Sequence, residues 1–178
     1  MEHDIHTRYL RSILTPKNLK ETVKRACEQA YHIMANQSFD AIAFCGMSGA
    51  GVAFPMSVEL GMPTIMVRKE DQSHYVNEVS GPRRYLEGAL DVGAYVIVDE
   101  QIATGRTITT MMARIAAYRP RARCVGIILY DAWGSWDGDG LFSTSHWMRG
   151  GRSGVEVPPQ GFEPVPVHCC GAHPFDVR

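Results

Sequence analysis

Four short runs in this chain are apolar almost throughout, where a half-exposed strand would alternate: Ala41–Cys45, Thr64–Val67, Tyr95–Val98 and Cys124–Tyr130. A strand built this way must be buried on both faces, which happens when helices cover both sides of a mostly parallel sheet. Helical patterns do lie between the runs. Thr15 is a natural N-cap and Pro16 suits the first helical position. Leu19, Val23, Ala26, Ala30 and Ile33 then recur at three- and four-residue steps, predicting a helix over 16–36. A second helix is expected from near Gly51 to a C-cap at Gly61, preceded by a glycine-rich loop, Gly46 to Gly51. A third runs from Thr107 to Ala117, with Pro120 barring its extension. Residues 71–84 are polar, carry the turn signal Gly81-Pro82, and read as a loop. The expected fold is α/β, a mostly parallel central sheet flanked by helices.

After Tyr130 the pattern changes. Residues 131–154 are rich in Gly, Ser, Asp and Trp, and residues 155–167 hold four prolines among short β-like pieces. The chain has 178 residues, which suits one domain. We read a single domain over 1–178, with a core at about 16–130 and a small cap made by residues 1–15 and 131–178. The formal net charge of -1 gives no global field to recruit nucleic acid, so any anion site must be local. Cys27, Cys45 and Cys124 lie inside apolar segments and read as reduced core residues. Residues 168–173 bring His168, Cys169, Cys170 and His173 close in sequence, but adjacent cysteines lack zinc-ligand spacing. The N-terminal residues have no apolar leader, and no apolar run approaches the roughly 20 residues that span a bilayer. A cytoplasmic protein without membrane or nucleic-acid partners is expected.

The chemistry concentrates in Tyr95-Val96-Ile97-Val98-Asp99-Glu100-Gln101-Ile102-Ala103-Thr104-Gly105-Arg106-Thr107. A buried strand runs into two adjacent acids and then a short Thr/Gly loop that opens a helix. Backbone N–H groups at a helix N-terminus make an anion site. Gly105 permits close approach, and the Thr104 and Thr107 hydroxyls add donors, so the loop suits a monophosphate. Asp99 and Glu100 would repel that phosphate. They suit ribose hydroxyls, or a metal ion bridging to a second phosphate group. The segment therefore describes a site for a sugar phosphate.

This segment resembles the motif of the type I phosphoribosyltransferases, in which four apolar residues, two acids and a Thr/Gly loop bind 5-phosphoribosyl-1-pyrophosphate (PRPP). Glu100 stands where Asp is commoner, and Gln101 where an apolar residue is usual. The resemblance implies the type I fold. It implies that Asp99 and Glu100 hold the ribose hydroxyls and that Ala103, Thr104, Gly105, Arg106 and Thr107 hold the 5-phosphate. Met47, Ser48 and Gly49, in the loop after the first core strand, would meet the pyrophosphate, joined by Arg68 and Lys69 at the end of the next strand. Adenine and orotate enzymes carry such an Arg-Lys pair. His74 keeps the distance of a histidine in the mobile loop of orotate enzymes, although Gln72 replaces their second lysine. Tyr85-Leu86-Glu87-Gly88 is similar to a stretch of the adenine enzymes, which would make Glu87 an acid for the purine ring.

Ala103 occupies the place where hypoxanthine–guanine enzymes have an aspartate base, and no lysine follows Lys69 to read a 6-oxo group. No arginine appears between Tyr130 and Arg149 to hold an orotate carboxylate. An adenine-like base is favoured, with Tyr130, Trp133, Trp136 and Phe142 as candidate stacking faces. The resemblance further implies Mg²⁺ as cofactor, reached by Asp99 and Glu100 through ribose or water without direct ligation, and a homodimer. The expected reaction is Mg²⁺-dependent phosphoribosyl transfer from PRPP to a nucleobase, with a loop near residues 70–86 closing over it. Alternatives are a PRPP- or nucleotide-sensing regulator of the same fold, or a transferase using orotate or a non-standard acceptor.

Overall fold

The computed structural model describes residue 13 and residues 15–69, 81–131, 140–143, 145–146 and 162–170. Helix α1 (Pro16–Met34) starts as its sequence dictates: the Thr15 hydroxyl accepts from the Asn18 N–H at 3.3 Å, and Pro16 opens the first turn. Strand β1 (Ala41–Cys45) leads directly into α2 (Gly46–Leu60), which Gly61 closes in the left-handed conformation. Then follow β2 (Thr64–Val67), a 3-10 turn (Pro82–Tyr85), β3 (Leu86–Gly88), β4 (Ala94–Asp99), α3 (Arg106–Tyr118), β5 (Arg123–Leu129), β6 (Leu141–Phe142) and β7 (Val165–Cys169).

The sheet order is β3-β2-β1-β4-β5-β7-β6. The pairs β2–β1, β1–β4, β4–β5 and β5–β7 are parallel, while β3 and β6 run antiparallel to their neighbours. Both faces are covered, as the apolar runs require. On one face Ile42, Phe44, Val96, Val98 and Ile128 pack with α1 and α2. On the other, Ala43, Ile65, Ile97 and Ile127 pack with Ile108, Met111 and Ile115 of α3. Because the central strands are parallel, their C-terminal ends gather at one sheet edge, where Cys45, Val67, Asp99 and Leu129 all terminate. That edge is where ligands settle in open α/β sheets. Among the described residues, no helix is long and apolar enough to cross a membrane.

Three expectations need correction. Residues 46–50 are not a loop before a later helix but the opening of α2. Gly46, at φ +69°, turns the chain from strand to helix in one residue. A Cβ at Gly49 would come within 2.9 Å of Phe44 Cβ and 3.1 Å of the Val98 carbonyl oxygen. These glycines let the helix start early and press onto the sheet. Residues 82–88, expected partly as loop, form the 3-10 turn and an edge strand on β2. The sheet also extends past residue 130, because residues 165–169, grouped by sequence with the cap, pair in parallel with β5.

Candidate active site

The C-terminal edge of the sheet holds a cavity of about 110 Å³, lined by Cys45, Ser48, Lys69, Asp99 and the whole loop from Gln101 to Ile108. Two helix N-termini open beside it. Gly105, left-handed at φ +79°, is the N-cap of α3, and its carbonyl accepts from Thr109 at 2.9 Å. The Arg106 N–H turns back to the Thr104 hydroxyl at 3.4 Å. The following N–H groups of the first turn have no intrahelical acceptor and carry the positive end of the helix dipole. The N-terminus of α2 begins without any side-chain cap, since Cys45 supplies none.

Lys69 brings the cation. Its Nζ would lie 3.8 Å from a Cβ at Gly46, so it stands over the start of α2. A molecule in this cavity would meet two helix N-termini, the Lys69 ammonium group and the Asp99 carboxyl, whereas Glu100 is not among the lining residues.

Asp99 and Glu100 are buried, at 6% and 4% exposure. Burial pushes the Asp99 carboxyl up to about 6, against the lowering effects of the Glu100 N–H, Lys69 and a hydrogen bond from the Ser48 side chain. The Glu100 N–H donates to Asp99 Oδ1 at 2.9 Å. Burial also pushes Glu100 up, to about 7, aided by the nearby charges of Asp131 and Asp99. Glu100 Oε2 is buried and has no hydrogen-bond partner among the described residues. A carboxylate oxygen left so is costly unless something donates to it, and sugar hydroxyls or metal-bound water are donors of the right kind.

The other sequence candidates divide. Ala103 to Thr107, Ser48, Lys69 and Asp99 meet in the cavity, whereas Met47 projects outward and Gly49 packs beneath the helix. Arg68 does not line the cavity. It pairs with Glu87, which faces Met66 in the antiparallel register of β2 and β3. The Arg68 peptide is fixed from both sides, its N–H donating to Tyr85 O at 2.9 Å and its carbonyl accepting from Arg114. Arg114 also lies over the Tyr85 ring, 4.0 Å from its centre. Tyr130 is not an open stacking face: it is 4% exposed, packed in the core, and its hydroxyl donates to the Ser48 carbonyl at 2.8 Å. Phe142 is fully buried. His74, Trp133 and Trp136 lie outside the described residues.

Sequence reading missed Cys45 and Asp131. Each follows from one rule, because each sits at the C-terminal end of a core strand. It also missed Arg114, whose position on α3 carries no motif.

The thirteen-residue strand–acid–loop segment and the two helix N-termini around one cavity agree with the comparison to known proteins. Residues 11–132 match the model of the phosphoribosyl transferase domain. The chain belongs to the phosphoribosyltransferase family. Membership makes it an enzyme of that class. Comparison with curated proteins finds no match. Among solved structures, an adenine phosphoribosyltransferase is 14% identical, with 90% of this chain and 84% of that chain covered at a TM-score of 0.57. The adenine phosphoribosyltransferase of Saccharomyces cerevisiae, in complex with an imino-altritol bisphosphate and adenine, is 15% identical over 67% of this chain and 71% of that one, with a TM-score of 0.51. The orotate phosphoribosyltransferase of Francisella tularensis is 14% identical at a TM-score of 0.51, with 66% of this chain covered. The match spans 53% of that enzyme's length. These likenesses establish the type I fold.

Proposed function

We propose that this phosphoribosyltransferase moves the phosphoribosyl group of PRPP to a nucleobase nitrogen and releases pyrophosphate. The observation that carries this reading is the single cavity in which Asp99, the loop Ala103 to Thr107, Ser48 and Lys69 converge. The loop and the N-terminus of α3 would hold the 5-phosphate. Asp99 and Glu100 would accept hydrogen bonds from the ribose hydroxyls, the buried Glu100 Oε2 gaining its missing donor. The first turn of α2 and Lys69 would take the pyrophosphate. In this arrangement the C1–O bond to pyrophosphate lies between the two anion sites. As that bond breaks, negative charge grows on the pyrophosphate beside Lys69 and the α2 N–H groups, which stabilise it. Positive character grows on the ribose ring, near the two carboxylates. The protein acts by placing the reactants and by fixed charge, with no covalent step of its own.

Mg²⁺ fits this site through substrate. Among the described residues, no group of three or more His, Cys, Asp or Glu could cage a metal. Mg²⁺ is commonly held by one or two carboxylates, water and substrate phosphates, and Asp99 and Glu100 would reach it through ribose or water. When bound, it supplies charge neutralisation for the leaving pyrophosphate.

The base is adenine-like. Ala103 offers no base catalyst at the loop, and the buried Tyr130 leaves the stacking face to other residues. We further propose a homodimer. Met47, Phe54 and Val58 lie 75%, 51% and 85% exposed on α2, and a helix apolar on all sides is one whose outer face is covered. A cytoplasmic setting suits cysteines that are all free among the described residues.

The deciding experiment is pyrophosphate release from PRPP and Mg²⁺ with adenine, hypoxanthine, guanine, xanthine, orotate, uracil and nicotinamide in turn. Turnover with adenine, lost in the Asp99→Asn/Glu100→Gln double variant, is the expected result. Turnover unchanged in that variant would remove the acids from the mechanism. Silence across the panel with PRPP still binding would favour a sensor of PRPP.

A further inference from the structure

Two hydrogen bonds from Tyr130 join three residues at the sheet edge. The Tyr130 N–H donates to the Asp99 carbonyl at 3.2 Å. The Tyr130 hydroxyl donates to the Ser48 carbonyl at 2.8 Å. The Ser48 side chain in turn acts on the Asp99 carboxyl, lowering its pKa against the effect of burial. Each link joins a different pair of elements: the end of β5 to the end of β4, the end of β5 to the first turn of α2, and that turn back to β4.

We propose that Tyr130 is a positioning residue that holds the pyrophosphate-receiving turn of α2 at a fixed distance from the ribose-receiving acid Asp99. The inference rests on the functional reading above, and adds to it a residue outside the cavity lining.

The ring of Tyr130 packs among the α1 and α2 core residues, a place phenylalanine would fill equally well. What the hydroxyl adds to packing is a hydrogen bond to the Ser48 carbonyl. A first-turn carbonyl is already engaged by the helix ladder, so this bond does not rescue an orphan. What it does is tie the turn laterally to the sheet. The tie matters because the two halves of PRPP would be received by separate elements. The acids and the loop 103–107 come from one continuous segment, β4 to α3, whereas Ser48 and its neighbours come from α2. Strand β1, which runs straight into that turn, pairs in parallel with β4 and sets the coarse separation; the Tyr130 bond adds a tie at the ligand edge itself. The Gly49 contact with Phe44 and the Val98 carbonyl presses the turn down onto the sheet; the Tyr130 bond sets its position along the edge. A misplacement of an ångström between leaving group and ribose is enough to slow such a reaction severely.

The test compares wild type, Tyr130→Phe, Ser48→Ala and the double variant by calorimetry with three probes, each with Mg²⁺: inorganic pyrophosphate, PRPP and ribose 5-phosphate. Ribose 5-phosphate would reach the acids and the 103–107 loop but not the α2 turn. In Tyr130→Phe, the affinity for pyrophosphate and PRPP is expected to fall roughly three- to tenfold, the range one hydrogen bond spans. Ribose 5-phosphate should bind as before, and the PRPP KM should rise. The two single changes act on residues in direct contact, so the double variant should be less weakened than the product of the singles. Equal weakening of pyrophosphate and ribose 5-phosphate would mark a merely structural tyrosine and overturn the inference, as would unaltered binding of all three or simple multiplication of the two effects. Wild-type protein that bound neither PRPP nor pyrophosphate would overturn the functional reading itself, and this inference with it.

Discussion

Arg68 and Glu87 form an ion pair where β2 meets β3, immediately before Lys69 turns into the cavity. The two adjacent cations thus do different work. Arg68 secures the strand end, and Lys69 faces the cavity. Lys69→Ala is expected to raise the PRPP KM by roughly tenfold, the cost of losing one charge-assisted contact to a phosphate. Arg68→Ala should lower the melting temperature while moving KM less than about threefold. Steady-state kinetics beside thermal melts checks this, and equal KM effects would return Arg68 to the pyrophosphate site.

Burial pushes the Asp99 and Glu100 carboxyls up, to about 6 and about 7. Both values lie above those of an unfolded chain, so between about pH 4 and 7 the folded state holds more protons. Stability from these groups is then present at low pH and lost as pH rises through 6 and 7. Melting temperature of the ligand-free protein should therefore fall from pH 5 to 8, and less so in Asp99→Asn/Glu100→Gln. Ligand hydroxyls prefer the charged carboxylates, so PRPP binding at pH 6 should release protons. Calorimetry in two buffers of different ionisation enthalpy measures that release, and proton uptake would contradict the assignment.

Gly49 and Gly105 are fixed by space, each in its own way. A methyl group at Gly49 would meet Phe44 and the Val98 carbonyl, and Gly49→Ala should cost about 1–3 kcal/mol of stability. At Gly105 the Cβ would lie 3.1 Å from the Phe142 ring, in a left-handed conformation. Gly105→Ala should distort the loop directly and lose ribose 5-phosphate binding by roughly tenfold or more. Denaturant melts and calorimetry separate the two outcomes.

The exposed stripe on α2 predicts association. Phe54→Glu with Val58→Asp should turn a dimer into a monomer in sedimentation experiments, with the fold retained by circular dichroism. A wild-type monomer at micromolar concentration would show that the stripe is not a self-association surface.

Much of this was legible in advance. The four apolar runs became β1, β2, β4 and β5, because burial on both faces leaves no room for a polar residue. The motif from Tyr95 to Thr107 marked the acids and the loop, since strand, acids and helix start are contiguous in sequence. The start of α2 was misread because glycine both breaks helices and permits close packing, and only the neighbours Phe44 and Val98 reveal which applies. Strand β3 was missed because three residues carry no period. The side chains of Arg68, Glu87 and Tyr130 were given ligand roles from their places in motifs. Within the fold these side chains also take partners across the sheet or in another helix, and such pairings have no signature along the chain.

The outward strand β7 joins β5 only after residues 130–164 have intervened. As the chain leaves the ribosome, β5 can dock on β4 early, yet one of its edges then stays unpaired while those residues are made. An open edge on a central apolar strand is a template for unwanted pairing. The interval in which residues 130–164 are made is thus the one in which the open β5 edge most invites aggregation, and in which a chaperone would help most.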